Sequence, residues 1–242
     1  VFMAIFQEPT NDEARLGFHK RALVTAATDK AAGKPYLTEE TINNLTEFVP
    51  VFEAAIKKIN DSLSKRTIEV HEGSKALEHM KTVIRDFWEV IRRRVNRLNQ
   101  PAGVLTYYEL PLSGLTPRLT NIEQWFIMAD KIIDGDAKAV AAGYPPMENP
   151  DVEELKDARD KALAERRDIP IADRIYDDAQ AEVEGLRPRA IELIDDVMAD
   201  LRHSLRKLDG PSQRRIMRSY GATFKYYNGE PEDEEIQEED TE

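Results

Sequence analysis

The chain contains no cysteine, which excludes a disulfide framework, a thiolate metal site and a cysteine nucleophile. No apolar run reaches the ~18 residues that a membrane-spanning helix needs. Glycine is scarce, at 11 residues, and none of it assembles into Gly-x-Gly-x-x-Gly, a phosphate-binding P-loop or a Gly-x-Ser-x-Gly elbow, so nucleotide binding or hydrolysis by those routes has no support. The four histidines, His19, His71, His79 and His203, do not form a ligand set. The nearest approach to a Glu-x-x-His metal pattern is Asp200-Leu201-Arg202-His203, and the equivalent Val90-Ile91-Arg92-Arg93 offers no ligand. No metal, cofactor or catalytic residue is therefore expected.

Aromatic residues are also few, at 7%, whereas charged residues reach 33% of the 242. That balance favours long solvated helices over a β-sandwich. The net charge is −12, and Glu230 to Glu242 alone carries nine acids and no base. The acidity thus belongs mainly to a terminal segment, read as a disordered tail that solubilises or docks on a basic patch. Candidate patches are Arg85, Arg92, Arg93, Arg94 and Arg97, and later Arg202, Arg206, Lys207, Arg214, Arg215 and Arg218. Cations of this kind also follow from the dipole at a helix C-terminus. With an acidic balance and no reader motif, nucleic acid is disfavoured.

The strongest signal is a repeat at a spacing of 110. Thr10-Asn11-Asp12-Glu13 returns as Thr120-Asn121-Ile122-Glu123, and Ala31-Ala32-Gly33-Lys34-Pro35 as Ala141-Ala142-Gly143-Tyr144-Pro145. Over 10–35 against 120–145, 8 of 26 positions are identical. Later, Ile84, Asp86, Arg92, Leu98 and Pro101 recur as Ile194, Asp196, Arg202, Leu208 and Pro211. The first match reads as a helix start capped by threonine, the second as a helix end closed by glycine and proline. The spacing predicts short helices over 10–32 and 120–142, and long helical regions over 38–99 and 150–209. Thr38 caps the first long region, with Leu37 stapling onto Ile42, and Pro150 takes the first helical position of the second.

In the first long region Ile42, Val49, Ile56, Leu63, Val70, Leu77, Ile84, Ile91 and Leu98 recur every seven residues, with Leu45, Phe52, Ile59, Arg66, Gly73, Met80, Phe87 and Arg94 beside them. Such heptads predict a coiled-coil-like seam and a continuous helix through Gly73, since glycine costs only ~1 kcal/mol there; the alternative is a break near His71–Ser74 that folds the region into two helices. The second region follows Leu155, Ala162, Ile169, Tyr176, Val183, Ala190 and Val197, flanked by Ala158, Ala172 and Ala179. Pro170 and Pro188 predict a bend or break near 168–171 or 185–188.

Three stretches read as extended: residues 1–6, 103–110 and 222–227, the last after a short helix over 211–219. The chain begins with Val1, which reads as a processed product or a fragment. Phe2, Ile5 and Phe6 are expected to pack on their own domain or to add to a neighbouring copy. Two Tyr-Tyr pairs, Tyr107–Tyr108 and Tyr226–Tyr227, are candidate packing or binding platforms. Asp86 with Arg92, and Asp196 with Arg202, are candidate ion pairs or a shared site.

The fold expected is all-α: an elongated antiparallel helical bundle of two tandem copies of a short-helix/long-helix hairpin. Residues 1–110 form the first copy, 111–229 the second and 230–242 the acidic tail. The function expected is that of a non-enzymatic scaffold acting by self-association or by binding a protein partner. Alternatives are a ligand-binding or enzymatic bundle with a site between the copies, and an adaptor using the tail. A soluble, cytoplasmic setting is favoured over a secreted one.

Overall fold

The computed structural model describes residues 4–226. Among them the fold is an all-α helical bundle: strand β1 (Ile5–Gln7), helices α1 (Asp12–Ala31), α2 (Glu39–Arg97), α3 (Ile122–Ala141), α4 (Val152–Leu205) and α5 (Gly210–Ser219), and strand β2 (Thr223–Lys225). No helix is long and apolar enough to cross a membrane.

The helix boundaries come from local chemistry. Asn11 caps α1 by accepting from the Ala14 amide at 2.8 Å, and Asn121 caps α3 by accepting from Gln124 at 2.9 Å. The caps are thus the asparagines and not the preceding threonines, whose own backbone lies one residue outside each helix. Both helices end alike, on Ala32 (φ −80°, ψ 1°) and Ala142 (φ −81°, ψ 2°), before left-handed Gly33 and Gly143. Thr38 does cap α2, accepting from Thr41 at 3.2 Å. Asp151, rather than Pro150, starts α4, accepting from Glu154 at 2.7 Å.

Neither long helix breaks. Pro50, Pro170 and Pro188 all lie on exposed positions inside the helices, as do Thr46, Arg166 and Glu184 four residues before them. Water can therefore reach the carbonyls that each proline leaves without a partner.

Of the two rows expected in α2, the one from Leu45 to Phe87 belongs to the buried line, and the one from Ile42 to Leu98 only borders it. Leu45, Phe48, Phe52, Ala55, Ser62, Gly73, Ala76, Met80, Val83 and Phe87 are buried, with Ile59, Arg66 and Glu69 half-buried between them. Their spacing alternates between three and four. The row from Ile42 to Leu98 is instead a shoulder. Ile56, Ile84 and Ile91 are buried, yet Leu63, Val70 and Leu98 remain 41%, 40% and 56% exposed. The Leu45–Phe87 row is completed by Phe48, Ala55, Ser62, Glu69, Ala76 and Val83, whose small and polar members give no continuous apolar signal in the sequence. In α4 the expected row is buried apart from half-buried Ile169 and Tyr176, and Ala158, Ala172 and Ala179 are buried beside it.

The chain divides into two compact units: Val1–Ser62 with Asp177–Glu242, and Leu63–Tyr176. Each unit draws residues from both 1–110 and 111–229. In the first, α1, α5 and stretches of α2 and α4 enclose Phe18, Leu45, Phe52, Ile194, Val197 and Tyr220. β1 pairs antiparallel with β2 of the same chain, Phe6 opposite Phe224, and the Phe6 ring packs on Phe18. Tyr220 donates to Asp29 at 2.7 Å.

His19 is buried in this core among the rings of Phe18, Phe48 and Phe52. Its Nε2 lies 3.0 Å from the Ala190 carbonyl, and Nδ1 has no partner. Nε2–H therefore donates and Nδ1 stays unprotonated. Burial lowers the pKa to about 4, against the smaller raising effect of the Ala190 bond. Between about 4 and the unfolded value of ~6.5 the unfolded chain takes up a proton that the folded one refuses. Stability therefore falls as pH drops through that window, by about 3 kcal/mol from this residue. Denaturant midpoints measured from pH 7 to 4 are expected to fall less steeply for His19→Leu than for the parent; equal slopes would remove this role.

The second unit places α3, the adjoining stretches of α2 and α4, and a 3-10 helix over residues 102–108 around Phe87, Trp88, Ile91, Tyr108, Ile132 and Leu155. That 3-10 helix replaces the extended segment expected over 103–110. Tertiary contacts override the β propensity of Val104-Leu105-Thr106-Tyr107-Tyr108: Tyr108 is fully buried, and Trp88 Nε1 donates to its carbonyl at 2.9 Å.

Gly135 of α3 faces this turn so closely that a Cβ there would lie 1.6 Å from the Tyr107 carbonyl oxygen. Nothing lies within 4 Å of a Cβ at Gly185 in α4. Gly135→Ala is expected to destabilise by about 3 kcal/mol or more, and Gly185→Ala to stabilise by about 0.5–1 kcal/mol. Thermal unfolding of the two variants checks both signs.

Candidate functional site

The second unit carries three features with chemical potential, all set by how α3 docks. The first is a buried polar node. Tyr108 donates to Asp136 at 2.7 Å, and the Met147 amide donates to the same oxygen at 3.2 Å. Arg94 donates to the Tyr108 hydroxyl at 3.3 Å and to the carbonyls of Pro145 and Pro146 at 2.9 and 3.0 Å. Burial, then the bond to Asp136, raises the Tyr108 pKa well above its ordinary value. The node thus fastens the turn after α2 and the loop after α3 to the helices, with the Asp136 carboxylate hydrogen-bonded as a buried acid must be.

Beside it opens a cleft of about 600 Å³, walled by Val90, Arg93, Arg94 and Arg97 of α2 and by the loop from Pro145 to Asn149. Arg93 pairs with Glu89 on the same helix. The Nε of Arg94 is buried without a partner.

The third feature is an apolar groove of about 350 Å³ where α2, α3 and α4 meet. Leu77, Ile122, Phe126, Ile169 and Pro170 form its walls, and Gly73 and Ala162 its floor. Arg166 lies at its edge, 5.7 Å over the Phe126 ring and paired with Glu123 at 2.5 Å. Next to it Glu69, Glu165 and Asp168 bring carboxylate oxygens within 4.8 Å of one another.

The residues singled out in the sequence are dispersed. Asp86 is exposed, and Arg92, six residues on, donates to the Trp88 and Gly114 carbonyls at 3.1 and 3.3 Å. In the other unit Asp196 is half-buried, its pKa raised by burial and then by Glu192, and Arg202 is exposed. No ion pair joins either couple. Of the tyrosines, Tyr108 belongs to the node and Tyr107 packs its ring near Tyr144. Tyr226 lies under Arg218, hydrogen-bonded to it. Ile5 is exposed on β1 and Phe6 sits between Phe18 and Phe224. Phe2, Tyr227 and the acidic segment 230–242 lie outside the described residues.

Sequence reading missed Tyr220. It is fully buried and bonded to an aspartate of the short helix, as Tyr108 is, and stands 112 residues after it. In the sequence the doubled Tyr226–Tyr227 is the more conspicuous match to Tyr107–Tyr108. The groove was also invisible, because its floor is made of residues that contribute little or no side chain.

No protein-family model, no curated protein and no solved structure matches this chain.

Proposed function

We propose that the protein is a non-enzymatic scaffold, built from a duplicated helical hairpin, that associates with further copies of itself through a helix face. The observation that carries this is the row Leu63–Val70–Leu77 of α2. It continues a heptad whose other members are mostly buried, yet Leu63 and Val70 are each about two-fifths exposed, and the row runs into the groove lined by Leu77. Apolar side chains aligned on one helix face are dehydrated most readily by another helix carrying the same stripe. Duplication is supported by α1 and α3, each of 20 residues, with equivalent asparagine caps 110 residues apart. It is supported too by Leu45 and Leu155, fully buried at the same spacing.

The geometry offers less to catalysis. The Tyr108 hydroxyl and the Asp136 carboxylate of the buried node are engaged in hydrogen bonds within it, and Arg92 and Asp86 do not converge.

Light scattering coupled to size-exclusion chromatography is expected to show a mass that rises with concentration. Leu63→Gln combined with Val70→Gln should return the monomer mass with little change in unfolding temperature. A parent protein that stays monomeric at every concentration would contradict self-association.

A further inference from the structure

The groove of the second unit has a counterpart whose side chains differ in an informative way. On the duplication proposed above, Gly73 corresponds to Val183, and Ala162 to Phe52. Val183 and Phe52 are both fully buried core residues of the first unit. In the second unit the same two places have lost the isopropyl group and the phenyl ring, and a hollow of about 350 Å³ opens over them. One wall is correspondingly larger: Phe126 stands where the other copy has Leu16. The hollow is therefore floored by small residues and faced by an aromatic ring.

Its chemistry restricts what it can hold. The lining is aliphatic and aromatic apart from Ser74 and Arg166 at the edge. Arg166 is already committed to Glu123 and to the Phe126 face, so the groove presents no spare cation. An anionic ligand would find no free countercharge there, and it would meet the neighbouring carboxylates of Glu69, Glu165 and Asp168. A volume near 350 Å³ lies at the small end of the range for small-molecule pockets.

We infer that this groove is a binding site for a small, uncharged, apolar molecule, with Phe126 as the aromatic wall and Gly73 and Ala162 as the clearance. The inference rests on the duplication but not on self-association.

The test titrates the full chain with N-phenyl-1-naphthylamine, an uncharged apolar fluorophore, and reads the emission increase. Three variants accompany it. Gly73→Ala puts a Cβ 2.9 Å from Ile169 Cδ1 and pushes that side chain into the groove. Ala162→Leu restores bulk on the floor. Ile122→Ser makes an exposed wall position polar without touching the core. Saturable binding at one site per chain is expected, weakened about tenfold or more in Gly73→Ala and Ala162→Leu and measurably in Ile122→Ser. The unfolding temperature of Gly73→Ala should hold or rise, because alanine is the better helix former, which separates loss of the site from loss of the fold. Absence of saturable binding, or affinities unchanged in all three variants, would overturn the inference. So would variants that lower the oligomer mass while the parent binds no fluorophore, since the groove would then hold part of a second copy. A parent that is monomeric yet binds the fluorophore would contradict the scaffold and leave this site standing.

Discussion

Everything in this fold depends on the packing of α2 against α4 along rows that alternate three and four residues. Within each unit the pair is antiparallel: in the first, Thr38 at the start of α2 meets Asp200 and Lys58 meets Glu182; in the second, Arg66 meets Asp173 and Gly73 lies against Ile169. These exposed ion pairs add little energy. The rows themselves supply the hydrophobic burial, and small members such as Ala55, Gly73, Ala76, Ala158, Ala172 and Ala179 are buried in them among larger neighbours. A glycine in mid-helix and three interior prolines would each favour a break in an isolated helix. Here a break would expose a continuous apolar stripe, and that cost exceeds the local penalties.

The short helices convert this pair into two cores. α1 and α3 are cut to the same length by the same cap chemistry, but what they enclose differs. The first unit is filled with phenylalanine around a neutral histidine. The second is fastened by the Tyr108–Asp136–Arg94 node and remains hollow over Gly73. The polar node and the groove are thus separate consequences of one docking arrangement: the node sets where α3 lies, and α3 supplies Ile122 and Phe126 to the groove.

Much of the architecture was legible in the amino-acid order, because helices are signalled locally. The 110-residue spacing placed all four major helices within a few residues, and Ala-Ala-Gly marked both short-helix ends. The seam of α2 was half legible: the Leu45–Phe87 row stood beside the heptad, but its partner row is broken by Ala55, Ser62, Glu69 and Ala76, while the neighbouring Ile42–Leu98 row is uninterrupted and apolar. The 3-10 turn at Tyr108 was misread as extended because its conformation is decided by Trp88 and Asp136, far away in sequence. The candidate site was the least visible part. A pocket is defined by missing side-chain volume, and glycine and alanine look the same in a floor as in any helix. The Asp86–Arg92 repeat was conspicuous in sequence and is structurally dispersed.

The central claim is that α2 remains one helix through Gly73 because its stripe is packed. Native-state amide hydrogen exchange across Lys65 to Leu77 measures this directly. Continuous protection over that stretch, with no opening at Gly73 easier than at its neighbours, is the outcome required. Amides from His71 to Ser74 exchanging at open-chain rates, with protection resuming on either side, would show two helices and contradict it.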